Sequence, residues 1–359
     1  MEIVRVKTKK QKKDYLDFLY KIYENDKNYC DMNVIFVRNF LYKKDSYAKR
    51  HKILPIIIYD NKEPKLECIF VIDETSEIKL AFVEFLPKAE KYLKKIIDIS
   101  NKLMSKYEKS KTIVGINGQI SYGLGILTSE YNQKFEFNSN YNKDYYTNEM
   151  DKVFPVMKRA FSYKYDVNNS VKFFDNNLLD KNYREYQFRF FEKKRFKEEM
   201  LIFGRLCHES LKQTPYYSEK TPYEMYELMR QTKLFFKDED IIFAMKDGKE
   251  VGFIYTHPDY AELFNNGRLN YITFLTKLLT TKPKRIIYNV IGVLPDYQRS
   301  GLAMNLIDFS LKLRRKDFTY GSSSFILEDN KESTSLCRKM ATGINKEFHL
   351  YEILRRNDV

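Results

Sequence analysis

Residues 290–303 read Val-Ile-Gly-Val-Leu-Pro-Asp-Tyr-Gln-Arg-Ser-Gly-Leu-Ala, and they constrain the fold more than any other segment. A β-branched run (Val290, Ile291, Val293) predicts a strand that stops at the Pro295-Asp296 turn. Gln298-Arg299-Ser300-Gly301-Leu302-Ala303 follows, then an apolar helical stretch from Met304 to Leu313. Strand, small-residue turn and helix in that order put unpaired N–H groups and a positive dipole end at one spot. That arrangement suits a pyrophosphate. Arg299 adds a mobile positive charge.

The same layout repeats in outline along the chain. In the first half the spacing predicts a strand at 3–6 and a helix over 10–24, with Tyr15, Phe18, Leu19 and Ile22 on one face. Strands at 53–59 and 66–72 flank the turn at 60–64. A strand at 80–85, a long amphipathic helix over 89–107 and a strand at 112–116 complete it. In the second half, helices are expected at 198–212 and 222–232, and a hairpin over 240–256 around Lys246-Asp247-Gly248-Lys249. The strand 285–293, the helix 303–316, a short strand 325–327, a helix over 331–340 and a strand at 347–353 follow. Residues 183–191 are aromatic and read as a strand. The Asn/Asp-rich stretches near 166–170 and 175–177 read as turns. The expected domains are therefore 1–160, a connecting segment 161–195 and 196–359. The length fits two domains.

The spacing Gln-x-x-Gly-x-Ala after a strand ending in Val-x-Pro resembles the acetyl-coenzyme A signature of the Gcn5-related N-acetyltransferases. The chain as a whole is similar to a tandem subgroup whose N-terminal half has lost the cofactor site. The segments that carry this are Tyr20 to Asp26, Gly115-Ile116-Asn117-Gly118 through Leu127, Asn140 to Tyr146, Gly252-Phe253 with Pro258-Asp259, Gly267-Arg268, and Leu327 to Asn330. Asn142-Lys143-Asp144 departs from the subgroup's prolines. The resemblance implies an α/β fold of two tandem acetyltransferase-like domains, each a mixed central sheet flanked by helices. It also implies acetyl-coenzyme A as cofactor and a primary amine, small molecule or peptide, as acceptor. Ile291, Gly292 and Val293 are expected to offer backbone groups to the cofactor's pantetheine arm and thioester carbonyl. Residues 298–303 are expected to hold its phosphates. In the first half the corresponding turn, Phe85 to Ala89, has no glycine, so one cofactor per chain is expected.

The remaining candidates are less constrained. Asn330 either caps the helix that follows it or bonds the cofactor. Glu328 is the best-placed carboxylate for a general base acting through water, and Tyr351 is a second candidate for acid or substrate contact. In many acetyltransferases a tyrosine seven residues after the asparagine protonates the leaving thiolate; here that position is Cys337. His257, Asn117, Tyr145 and Tyr146 are candidate substrate contacts, with Tyr122 and Tyr141 as further walls.

The chain carries 63 basic and 49 acidic side chains, a net charge of +14. The basic residues are spread along it, so attraction for a polyanionic cofactor is the expected reading and nucleic acid is not the expected partner. The four cysteines are scattered, with no metal-ligand spacing, so no metal is expected. No run of 18 apolar residues exists and the first residues are charged, which predicts a cytoplasmic protein without membrane spans. Two other functions stay open: a coenzyme A-binding sensor or scaffold without turnover, and an aminoacyl transferase of the peptidoglycan-bridge type, against which the intact Gln298 to Ala303 motif argues.

Overall fold

The computed structural model describes residues 1–355 apart from 138, 178–184 and 265–266. Its backbone falls into two compact units. One comprises Met1–Ala160, Phe264–Phe274 and Lys346–Val359, the other Phe161–Leu263 and Leu275–Asn345.

The N-terminal unit opens with β1 (Glu2–Arg5) and α1 (Lys9–Ile22). Thr8 and Gln11 form a reciprocal capping box at the start of α1, and Tyr15, Phe18, Leu19 and Ile22 are its buried face. Next come α2 (Val34–Tyr42), α3 (Ser46–Arg50), β2 (Lys52–Asp60), β3 (Glu63–Ile72) and β4 (Glu77–Phe85). The β2–β3 turn uses Asn61 and Lys62 at positive φ. The helix α4 (Glu90–Tyr107) packs Tyr92, Leu93, Ile96 and Met104 into the core. Then follow β5 (Lys111–Val114), β6 (Ile126–Leu127) and α5 (Tyr145–Asp151).

The strand β7 (Val156–Asp166) leads into α6 (Val167–Asn177) and β8 (Gln187–Phe190). The segment expected to be a connector is thus built into the second unit, by residues 161–166 of β7 and by α6 and β8. Asp166 explains the difference. Its side chain accepts from Asn169 N at 2.8 Å, so the Asn/Asp cluster is the first turn of a helix. Residues 183–184 of the strand expected there lie outside the described residues.

The second unit continues with α7 (Phe196–Leu211), α8 (Pro222–Met229), β9 (Ile241–Lys246) and β10 (Lys249–Pro258). Asp247 and Gly248, both at positive φ, make the two-residue hairpin loop. The chain then forms α9 (Tyr271–Thr280), β11 (Arg285–Val293), α10 (Leu302–Arg314), β12 (Tyr320–Ser323), β13 (Ile326–Leu327), α11 (Lys331–Met340) and β14 (Gly343–Leu354). Arg314 fastens the far end of α10. It is buried and pairs with the buried Asp240 at 2.7 Å.

The strand order is β1-β2-β3-β4-β5-β14 in the first unit and β8-β9-β10-β11-β12-β7 in the second. Each sheet is antiparallel except for one parallel pair, β4–β5 or β11–β12. Both are therefore mixed sheets flanked by helices, and they repeat strand for strand. The last strand of each comes from an unexpected place. β14, from the end of the chain, pairs with β5, and β7, from the middle, pairs with β12.

Candidate active site

The strand β11 pairs with β10 along its length but with β12 only over Arg285–Tyr288. Ser324 N still reaches Tyr288 O, at 2.9 Å; no further pairing to β12 is formed, and a wedge opens beside Asn289–Val293. The register against β10 shifts at Tyr255/Thr256, which leaves Asn289 as the extra residue of a bulge.

Leu294 N donates to Val251 O at 2.9 Å. Alternation along an antiparallel pair then turns the backbone groups of Val290 and Gly292 toward β10, and those of Ile291 and Val293 toward the wedge. Of the three residues expected to offer backbone groups, Gly292 spends its own on the sheet. It is glycine for space. A Cβ there would meet Ser210 Oγ at 2.4 Å and the Phe253 ring at 2.5 Å. The Val293 carbonyl accepts from Gln298 Nε2 at 3.2 Å, which ties the turn back to the strand end.

The turn itself is a short 3₁₀ segment, Pro295–Tyr297, followed by Arg299 at φ 61° and Gly301 at φ 83°. Gln298 N is satisfied by Pro295 O, and Leu302 N has a long contact to Ser300 Oγ at 3.4 Å. The first regular helical bond is Asn305 N to Gly301 O. The amides of Arg299, Gly301, Ala303 and Met304 have no acceptor among the described residues. Ser300 Oγ donates to Tyr297 O (2.7 Å) and receives Tyr186 Oη (3.2 Å), which locks the turn. The Arg299 side chain is exposed and makes no ion pair with a described residue. A cluster of amides without acceptors among the described residues, on a helix start beside an exposed guanidinium, has the chemistry that suits an anion.

His257 lies on β10, buried, with Nδ1 2.9 Å from Pro258 O and Nε2 3.5 Å from Asn289 Nδ2 at the bulge. The carbonyl fixes the proton on Nδ1. Burial pushes its pKa down to about 4, so it is neutral at pH 7. The ordinary unfolded value is about 6.5, so this stability is present above that pH and is lost as pH falls toward 4. The difference amounts to about 3 kcal/mol. We expect urea denaturation of the wild type to show that acid loss for the second unit and His257→Asn to show much less of it. Equal losses in the two proteins would remove His257 as the cause.

Asn330 caps α11, accepting from Ser333 N at 3.1 Å, so of its two expected roles the geometry displays the cap. Glu328 is exposed in the turn after β13. Cys337 is buried, and Tyr165 Oη donates to its Sγ at 3.0 Å. Burial raises that thiol's pKa. The sequence reading did not single out Tyr165, because it lies in the segment read as a connector, or Asn289, whose bulge depends on strand register.

Asn117, Tyr145, Tyr146 and Tyr351 belong to the N-terminal unit. The Asn117 side chain accepts from Phe82 N (2.9 Å) and donates to Tyr122 O and Asn140 Oδ1. Tyr145 Oη donates to Phe85 O, and Tyr146 Oη to Glu84 Oε2, each at 2.6 Å. Tyr351 is fully buried in that unit's core and donates to Asp151 at 2.8 Å. Packing and these bonds account for all four residues. Among the described residues no group of His, Cys, Asp and Glu could hold a metal ion. No described helix is long and apolar enough to cross a membrane.

No family model matches the chain, and no curated protein matches it in sequence. Solved structures do match its fold. A tandem Gcn5-related acetyltransferase protein from the clavulanic acid biosynthesis pathway aligns over 100% of this chain and 99% of its own, at TM-score 0.56 and 8% identity. A Gcn5-related glucosamine N-acetyltransferase region of a fungal multi-domain β-N-acetylglucosaminidase aligns over 98% of this chain and 38% of its own, at 0.57 and 10%. A Gcn5-related N-acetyltransferase from Anabaena variabilis aligns over 98% and 72%, at 0.53 and 9%. The chain thus has the tandem acetyltransferase fold that its motif resembles.

Proposed function

We propose that the chain is an acyl-coenzyme A-dependent N-acyltransferase that transfers acetyl to a primary amine. The observation that carries this is the turn before α10, where the amides of Arg299, Gly301, Ala303 and Met304 have no internal acceptor and Arg299 no partner among the described residues. The residues fit a nucleotide diphosphate, with the turn for the phosphates and the Ile291 and Val293 edge of the wedge for the pantetheine amides. Bound there, acetyl-coenzyme A supplies an activated acyl group as a thioester. The chain's part is to orient and polarise. An N–H of the β11 edge stabilises charge developing on the acyl oxygen, and fixing both reactants removes the entropic cost of their encounter. Glu328 is the proposed acceptor of the amine's proton, through water. The fold likeness to acetyltransferases supports the reading. The protein is proposed to work in the cytoplasm, as no described helix could span a membrane.

The test is coenzyme A release, read with a thiol reagent, from acetyl-coenzyme A over a panel of primary amines. We expect amine-dependent release. Stable binding with no release for any amine would replace the enzyme by a coenzyme A sensor.

A further inference from the structure

A cavity opens inside the N-terminal unit, between α1, α2, the end of β4 and the loop before α5. It measures about 60 Å³, where one water takes about 10–15 Å³ on the same measure. About four to six non-hydrogen atoms therefore fit.

Its polar lining is almost fully committed. Asn117 is bonded as described above. Asn140 Nδ2 donates to Gly125 O, and Asn142 exchanges bonds with Leu127 N and O. Tyr29 Oη makes no bond to a described residue, and the other exception is Glu84. Tyr23 Oη and Tyr146 Oη both donate to its Oε2, at 2.9 and 2.6 Å, and Oε1 takes no bond from a described residue. Beside it, Tyr29 stacks on Tyr23 at 3.9 Å between ring centres, and Tyr141 tilts against Tyr29 at 6.2 Å. Leu19, Val34 and Val37 line an apolar side.

A carboxylate oxygen with no partner, aromatic faces beside it and an aliphatic wall select a ligand by charge and shape. An anion is repelled. A neutral molecule leaves the carboxylate uncompensated. Among the described residues no group of His, Cys, Asp and Glu there could hold a metal ion. An alkylammonium ion donates N–H to Oε1, meets the ring faces with its positive charge and lays its chain on the wall.

We propose that the N-terminal unit binds a small aliphatic ammonium ion in this cavity, held by Glu84 and the Tyr29–Tyr141 faces. This stands on the geometry of the N-terminal unit alone and does not rest on acyl transfer.

Burial pushes the Glu84 carboxyl up to about 7, so it is ionised only above that pH. Glu67, its cross-strand neighbour, is held well above the carboxylate range by burial and then by Glu84, and is uncharged here. Burial likewise raises Tyr15, Tyr23, Tyr29, Tyr145 and Tyr146. The nearest fixed charges are the paired Lys143 and Asp26, at 2.6 Å, and Asp31. The site therefore gains one negative charge between pH 6 and pH 8, while an alkylamine stays protonated throughout.

The experiment is calorimetric titration of the full chain with n-butylammonium chloride in phosphate buffer, free of amine buffers. We expect saturable binding at pH 8, at least tenfold weaker at pH 5.5, and none for n-butanol or butyrate. Glu84→Gln should abolish it, and Val37→Phe, which fills the cavity and leaves the charge, should do the same. Gly301→Val should leave it intact. Absence of binding at pH 8, equal binding of n-butanol, or unchanged affinity in both cavity variants would overturn the proposal.

Discussion

A chain ending at Asn345 is expected to lose the folded N-terminal unit, although it lacks only residues from the far end of the sequence. The strand β14 supplies the neighbour of β5, with Tyr351 opposite Val114 and Leu354 opposite Lys111. It also pairs Phe348 with Leu127 of β6. Phe348, Leu350, Tyr351 and Ile353 are all buried. Burying each such side chain contributes about 1.5–3 kcal/mol, so their removal costs about 6–12 kcal/mol, which matches the whole stability of a typical domain. The open edge of β5 would also be left to pair with other chains. Limited proteolysis with mass mapping checks this. Rapid cleavage throughout residues 1–160 is expected, and a protease-resistant 1–160 core would contradict the exchanged strand. Tyr351→Phe separates packing from chemistry. We expect it to keep thiol release and lower stability by about 1 kcal/mol, the usual net worth of one hydrogen bond.

Gly301→Val is expected to weaken coenzyme A binding by two orders of magnitude or more. At φ 83° the residue sits in the left-handed region, which a β-branched side chain enters only at a cost of about 1–3 kcal/mol. Relief of that strain rotates the turn and takes its amides off a common target. Hydrogen bonds to a charged group contribute about 1.5–3 kcal/mol each. Two lost bonds make about 3–6 kcal/mol, or roughly a hundredfold to ten-thousandfold in Kd. Gly248→Val is the control. Gly248 has φ 76°, and a Cβ added there would have no neighbour within 4 Å, so the substitution brings comparable backbone strain to a hairpin loop. We expect titration with coenzyme A to show near-wild-type affinity there. Equal losses in the two variants would mean that general destabilisation, and not the turn, governs binding.

What could be read in advance follows from the range of the interactions. The strand, turn and helix at 285–314 were legible because β-branched clustering, a Pro stop and an apolar helical face are all local. The hairpin at 246–249 and the apolar face of α1 were legible for the same reason. The exchange of β7 and β14 was not. Both are alternating strands of the same kind, and nothing in their residues says which β5-like edge each will meet. The α6 helix was hidden because Asp166, Asn168 and Asn169 serve turns and helix starts equally well. At the site, the turn's residues were singled out by their spacing. The bulge at Asn289 and the commitment of Gly292 to β10 depend on register, which spacing does not contain. Tyr351 stood in a plausible sequence position for chemistry, yet the fold uses it as core of the N-terminal unit.

The central claim is that one stretch of main chain before α10 receives a nucleotide diphosphate. Hydrogen–deuterium exchange of the full chain, with and without saturating coenzyme A, tests it most directly. The account predicts slowed exchange at the amides of Arg299, Gly301, Ala303 and Met304, abolished by Gly301→Val. Saturation by coenzyme A with those four amides exchanging as fast as in the free protein would contradict it.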